Sequence, residues 1–236
     1  MKTLRNLIVI LILIGLLILS WFTAGVRFVD TAERVVALTF DDGPNPPYTG
    51  QLLQTLQEKQ VTATFFLIGQ EVTAYPETAL QIFKGGHEIG GHSSDWKSLA
   101  FESPTEMEGK LQEMEAAFTD LGIPSTTLFR PPGGFMLPWQ RKLVADRGLT
   151  HVSANVVVGD WKEIDAQTIC DRVLKKVNPG SIIALHDGGG NRAATIAAVP
   201  LIIDGLRAQG YEFATVSELL EKQPEEPPSA PGLFSE

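Results

Sequence analysis

Cysteine is almost missing from this 236-residue chain: Cys170 stands alone, inside "AQTICDRVLKKV". A lone thiol excludes an internal disulfide and a cysteine-based zinc site, and its place in a helical pattern reads as a small buried apolar residue. Histidine is scarce, four residues in all, and two of them, His87 and His151, fall at strand starts, where no role is expected. No block of Lys or Arg occurs beyond the N-terminus, and the net charge is −9. That excludes nucleic acid and other polyanions as partners. No internal repeat is present. What remains, with 44% hydrophobic residues, suits one domain with a full core.

The ends differ from the middle. Residues 1–6 carry Lys2 and Arg5, and residues 7–26 then run without a charge, 20 residues, enough for ~30 Å of helix. A cleaved signal peptide would want a shorter run and small residues before the cut; Phe22 two before Ala24 fits that poorly. The expectation is an uncleaved single-pass membrane anchor, positive end inside, a linker over 27–33, and a domain over 34–221 outside the cytoplasm, secreted if the N-terminus is cleaved. Residues 222–236, rich in Pro and Glu, read as a disordered tail.

Between the ends, apolar strands alternate with amphipathic helices. Strands are expected at 35–40, 62–68, 87–90, 127–129, 151–158, 181–186 and 213–216, and helices at 51–59, 77–84, 138–147, 166–177 and 197–209. The strongest helix follows Ser103: Pro104 at its first position, Glu106 completing a capping box, and Met107, Leu111, Met114, Phe118 and Leu121 as one apolar stripe that Gly122 stops. The fold class is α/β with a parallel sheet, open or closed into a barrel.

The polar residues gather after strands. Asp41 and Asp42 follow the first, His92 the third, Arg130 the fourth, Asp160 and Trp161 the fifth, and His186 and Asp187 end the sixth. In a parallel barrel all these ends lie on one face. Singly, each motif has an ordinary structural reading: a turn, a surface ion pair, a capping histidine. His92, closing a Gly-rich turn, looks like a metal ligand. Its partner would stand at i+3 or i+4; Trp96 at i+4 cannot bind a metal, whereas Asp95 at i+3 can. Asp95 is therefore the expected third ligand, with Trp96 turned away to pack against the helix that begins near Ser103.

"LTFDDGP", "GHEIGGHSSDWKSL", "RPPGG", "GDW" and "ALHDGGG" stand in the order and spacing of the polysaccharide deacetylases, the NodB-homology family or carbohydrate esterase family four, and the resemblance spans roughly 34–220. It implies a distorted (β/α)7-type barrel and a hydrolase that removes N-acetyl groups from N-acetylglucosamine in an acetylated glycan, peptidoglycan or chitin-like, with a divalent metal: zinc, or manganese or cobalt. By the same resemblance Asp41 is the base, His186 the acid, Arg130 the residue that orients the base, Asp42 and His92 metal ligands, Gly133 the oxyanion N–H, and Trp161 and Leu185 apolar walls around the acetyl methyl. The chain departs from the family at Trp96, usually histidine, and at Val157, usually aspartate. The second change passes any tuning of the acid to Asp160. Two rival functions follow: a glycan-binding protein on a deacetylase fold, or an amidohydrolase of small amides. The retained Asp41 and His186 speak against the first and the anchor against the second.

Overall fold

Every residue of β1 (Val35–Asp41) is buried, which requires cover on both faces and neighbours on both edges. The computed structural model, which describes residues 25–162 and 164–223, supplies both. β1 pairs in parallel with β2 (Thr64–Leu67) on one edge and β7 (Ile182–His186) on the other. The sheet continues through β3 (Glu88–Gly91), β4 (Leu128–Phe129) and β5 (Thr150–His151) beyond β2, and through β6 (Val156–Val157) beyond β7. β8 (Glu212–Ala214) runs beside the first residues of β1. All these pairings are parallel, so the strands' C-terminal ends share one rim of a curled, distorted barrel.

Strand periodicity decides what reaches that rim. Val36, Leu38 and Phe40 of β1, Phe65 and Leu67 of β2, and Ile183 and Leu185 of β7 belong to the core under the helices. Val35 and Ala37, Phe66, and Ile182 and Ala184 belong to the smaller inner core. By the two-residue period Asp41 and His186 continue the inner rows. The outer layer consists of α1 (Tyr48–Glu58), α2 (Gly69–Ala74), α3 (Pro76–Lys84), α4 (Pro104–Thr119), α5 (Pro138–Asp146), α6 (Ala166–Lys176), α7 (Ala193–Ala208) and α8 (Val216–Leu220). α4 carries the expected cap, with the Ser103 and Glu106 side chains each accepting from the other's backbone N–H at 3.3 and 2.8 Å, and buries Met107, Leu111, Met114 and Phe118.

Three expectations change. The single strand over 151–158 is two short pieces, because the backbone between them is engaged elsewhere: Ser153 N–H donates to Val26 O, and Ser153 O accepts from Arg130. The segment expected as a linker over 27–33 touches the sheet where it begins. Val26 bridges Val152, Phe28 bridges Ser181, and Val29 is buried. Thr215 caps α8 through a reciprocal pair with Glu218, ending β8 before Val216. The expected anchor lies outside the described residues except for Gly25 and Val26, as does the tail beyond Gln223. Among the described residues no helix is long and apolar enough to cross a membrane.

Candidate active site

Asp41 and His186 are direct cross-strand partners at the ends of β1 and β7. Each is held by a group behind it. The Arg130 guanidinium donates to Asp41 Oδ1 at 2.6 Å, to Thr39 Oγ1 at 2.7 Å and to Ser153 O at 3.0 Å, and it lies 4.0 Å over the Phe66 ring. On the other side Asp160 Oδ1 is 3.0 Å from His186 Nδ1, while Asp160 Oδ2 accepts from the His186 N–H at 2.9 Å and from Thr195 Oγ1 at 3.0 Å. Burial works against an imidazolium at His186, but the Asp160 hydrogen bond and the charges of Asp41, Asp160 and Asp42 outweigh it and hold its pKa above the usual histidine value. Asp160 is thus the carboxylate that braces His186. Val157 is exposed at the cavity edge.

Asp42 and His92 form a second pair. His92 is buried, and its Nδ1 sits 2.7 Å from the Arg130 carbonyl oxygen, so that nitrogen carries the proton. Nε2 is the nitrogen turned toward Asp42, 3.4 Å from its Oδ1. Burial raises the Asp42 pKa, but the His92 contact, then the charges of His92, His186 and Arg192, lower it below the usual carboxylate value overall. A backbone-anchored imidazole facing a carboxylate is ligand chemistry for a divalent cation. Among the described residues only these two donors meet here, whereas three protein ligands are the norm for catalytic zinc. Among the described residues no three His, Cys, Asp or Glu side chains gather around one point.

Asp95 does not join them. Its Oδ1 accepts from Lys110 Nζ at 2.8 Å and from the Lys97 N–H at 3.1 Å, and Lys110 is also 2.9 Å from Glu102. An ammonium left half-buried on α4 needs carboxylates, and Asp95 is one of the two that reach it. Trp96 does not pack under the helix either; it is 45% exposed and lines a recess beside Asp42. The i+3 substitution fails because the 92–97 segment is a turn clamped to α2 and α4, with no helical face to rotate.

A cavity of about 340 Å³ is lined by Asp41, Asp42, His92, Arg130, His186 and Trp161, with Gly133 at its wall. Trp161 stands edge-on to His186, ring centroids 4.9 Å apart. Gly133 has φ +74° and a Cβ there would meet nothing, so the position is open as well as left-handed. Leu185 is a correction: it is fully buried toward the helices, and Ala184, one residue earlier and on the inner row, lines the cavity instead. Two residues given no role also matter. Thr195 braces Asp160 from the first turn of α7, with no signal in its sequence neighbourhood. Asp187 is fully buried, accepts from Thr49 Oγ1 at 2.6 Å, and is pushed up to about 7 by burial; a second carboxylate inside "LHDGGG" was the available signal. His87 is also buried and keeps its pKa low through desolvation, and burial with the nearby charges of Arg141 and Arg130 lowers His151 to about 4. Both stay outside the cavity lining.

A parallel barrel with a carboxylate and an imidazole facing each other beside a two-donor cation site defines a hydrolase of the deacetylase type. A polysaccharide deacetylase family model matches residues 28–152, and the chain belongs to that family, carbohydrate esterase family four with the NodB homology. It is 38% identical to a peptidoglycan-N-acetylglucosamine deacetylase of Bacillus cereus over 80% of this chain and 89% of that one. Its structure superposes on that of the Bc1960 peptidoglycan N-acetylglucosamine deacetylase with a TM-score of 0.82 at 30% identity, covering 87% and 97% of the two chains. It also superposes on a family-four pseudoenzyme from Bacillus anthracis with a TM-score of 0.79 at 26% identity, covering 85% and 70%. The protein is a polysaccharide deacetylase of a typically metal-dependent family.

Proposed function

We propose that the chain hydrolyses the N-acetyl group of N-acetylglucosamine residues in peptidoglycan. The observation that carries this reading is the facing pair Asp41 and His186, each braced by a buried partner of opposite charge. The oxygen of a water bonds to the acetyl carbon while Asp41 takes its proton; Arg130 fixes the carboxylate oxygen that is not used. The C–N bond breaks as His186 gives the proton it holds to the departing nitrogen, leaving acetate and a free amine. Gly133 supplies the backbone N–H for the oxyanion, where an amide suffices without a side chain. Trp161 and Ala184 wall the acetyl group. Asp42 and His92 would hold the divalent cation, zinc, manganese or cobalt, which when bound supplies Lewis acidity toward the acetyl carbonyl. The uncharged run over 7–26 behind Lys2 and Arg5 supports a tethered domain on the outer side of the cell membrane, where this glycan lies.

The test is acetate release from peptidoglycan and from chitin oligomers by the full chain, with each of the three metals. Release from peptidoglycan supports the reading, and release from neither glycan overturns it. The two-donor cation site and the likeness to a pseudoenzyme favour one second reading, a glycan-binding protein without turnover. It requires tight glycan binding that Asp41→Asn leaves unchanged in a chain that releases no acetate.

A further inference from the structure

Asp42 differs from the other polar residues of the rim. Among the described residues its side chain meets only the His92 ring, at 3.4 Å, whereas His92 has its own anchor in the Arg130 carbonyl. The aim of Asp42 is therefore set by its backbone. That backbone is left-handed, with φ +75°, a value that a residue with a side chain keeps only where its surroundings hold it. Asp187 supplies those surroundings. Its N–H and that of Gly188 both donate to Asp41 O, the carbonyl that enters the turn, at 3.2 Å. Its carboxyl occupies the space beside Gly43 where a Cβ would stand. Its Oδ2 accepts from Thr49 Oγ1 at 2.6 Å, and the same hydroxyl oxygen accepts from the Asn45 N–H at 2.7 Å. Its carbonyl accepts from the Asn45 side chain at 3.3 Å. Asp187 thus grips the 41–45 turn before, beside and after Asp42. It is fully buried and lies outside the cavity lining. Its Oδ1 is buried with no partner among the described residues, which costs stability, so packing alone does not account for a polar side chain here.

We propose that Asp187 is a positioning residue for Asp42: by its shape and its hydrogen bond to Thr49 it holds the 41–45 turn, and so fixes the direction in which the Asp42 carboxylate meets His92. The inference rests on the reading of Asp42 and His92 as the residues that hold the cation, and goes beyond it by naming what aims the one without an anchor of its own. A site with two protein donors depends on their aim more than a site with three, because no further ligand offsets a misdirected one. Thr49 lies in the first turn of α1 (Tyr48–Glu58), so that helix is the fixed point against which the turn is held. Asp187 also follows His186 directly, and the bonds to Asp41 O tie the end of β7 to the end of β1. Arg192 secures the far side of the same loop, donating from Nε to Gly188 O at 2.6 Å and from Nη2 to Gly189 O at 2.9 Å. One buried residue therefore acts on the cation pair through the backbone while touching neither side chain's reacting face.

The test measures zinc affinity of the metal-free full chain by calorimetry, well below the melting temperature of each variant, and then kcat and KM with zinc at saturation. Asp187→Ala should weaken zinc binding about tenfold or more and lower kcat by a similar factor, with KM within about twofold. Asp187→Asn, which keeps the shape and an oxygen for Thr49, should restore both to within about threefold of the parent. Thr49→Val should weaken zinc binding about threefold, and Thr49→Ser should match the parent. A lower melting temperature with unchanged zinc affinity and kcat in Asp187→Ala makes the residue structural only and overturns the proposal. So does an Asp187→Asn variant as impaired as Asp187→Ala, since charge and not the clamp would then be what matters. If Asp187→Ala does not fold, Thr49→Val decides: parent-like zinc affinity overturns the clamp. A parent that binds no zinc overturns it as well. A parent that binds zinc through this clamp and releases no acetate loses the deacetylase reading and keeps the positioning role. Acetate release that survives Asp187→Ala at the parent's rate and zinc affinity does the reverse.

Discussion

The rim has two halves built to different standards. Around Asp41 and His186 every group has a buried partner: Arg130 and Thr39 on one side, Asp160 and Thr195 on the other. Around Asp42 and His92 the support is good as far as it goes, with His92 fixed by a backbone carbonyl, but the set stops at two donors. Proton-moving groups depend on pKa values, which long-range charge and burial set together, so they tolerate no missing partner. A cation site loses affinity in steps as ligands are removed, and water or substrate can take an empty position. The first half is thus the intact machinery and the second the adjustable part.

The largest effect belongs to the intact half. Asp41→Asn should lower kcat by ~10²–10⁴, with glycan affinity and bound metal unchanged, because its carboxylate is the partner of Arg130 while His92 pairs with Asp42. Loss of metal in this variant would place Asp41 among the ligands and merge the two halves.

Asp160→Asn comes next and sharpens the same half. The imidazolium of His186 is favoured by Asp160 against burial, so its pKa lies above the usual histidine value. A proton donor works below its pKa, so the parent's rate should hold through neutral pH and fall only as pH rises past the raised pKa. With asparagine the hydrogen bond and one negative charge are lost, and the alkaline limb of the kcat profile should move to lower pH, cutting the rate about tenfold at pH 8. The stability linkage has the same sign: a raised histidine pKa stabilises the fold fully below the unfolded value, ~6.5, and that contribution disappears as pH rises through the folded value. An unmoved alkaline limb would remove Asp160 from the role.

Trp96→His tests the adjustable half. Adding a third donor at the position where the resemblance expects one should tighten zinc binding tenfold or more by calorimetry. Unchanged zinc affinity would show that the 92–97 turn cannot aim residue 96 at Asp42 and His92.

How far the sequence could be read follows the same division. Residues tied to strand ends were legible because a parallel barrel collects them whatever the loops do: Asp41, Asp42, His92, Arg130, Asp160 and His186 all reach one rim. The α4 cap and stripe were legible because they are local. Leu185 was misread for want of the two-residue period, which gives its neighbour Ala184 to the cavity. Asp95 and Trp96 were misread because a helical spacing was applied to a turn, and the turn's shape is decided by contacts distant in sequence, Gly69, Gln70 and Lys110. The segment 27–33 reads as a plain linker because one isolated bridge at each of Val26 and Phe28 leaves no periodicity.

Asp95→Ala gives the smallest effect and separates the two accounts of that residue most cleanly. As a ligand, Asp95 would carry metal affinity, and its loss would empty the site. In the structure its carboxylate belongs to the triad with Lys110 and Glu102, all three side chains less than one-fifth exposed. Removing it deletes two charge-assisted hydrogen bonds, from Lys110 Nζ and from the Lys97 N–H, while Glu102 keeps Lys110 paired at 2.9 Å. The expected cost is about 1–2 kcal/mol of stability, a melting temperature lower by a few degrees, with metal content and affinity unchanged. Glu102→Ala should cost a similar amount, and the double variant should cost more than the sum of the two, since it leaves the half-buried Lys110 ammonium without any partner. A double variant that is merely additive would mean that Lys110 reaches solvent once either carboxylate is gone, so that the turn carrying Trp96 is held by the backbone bonds to Gly69 and Gln70 alone.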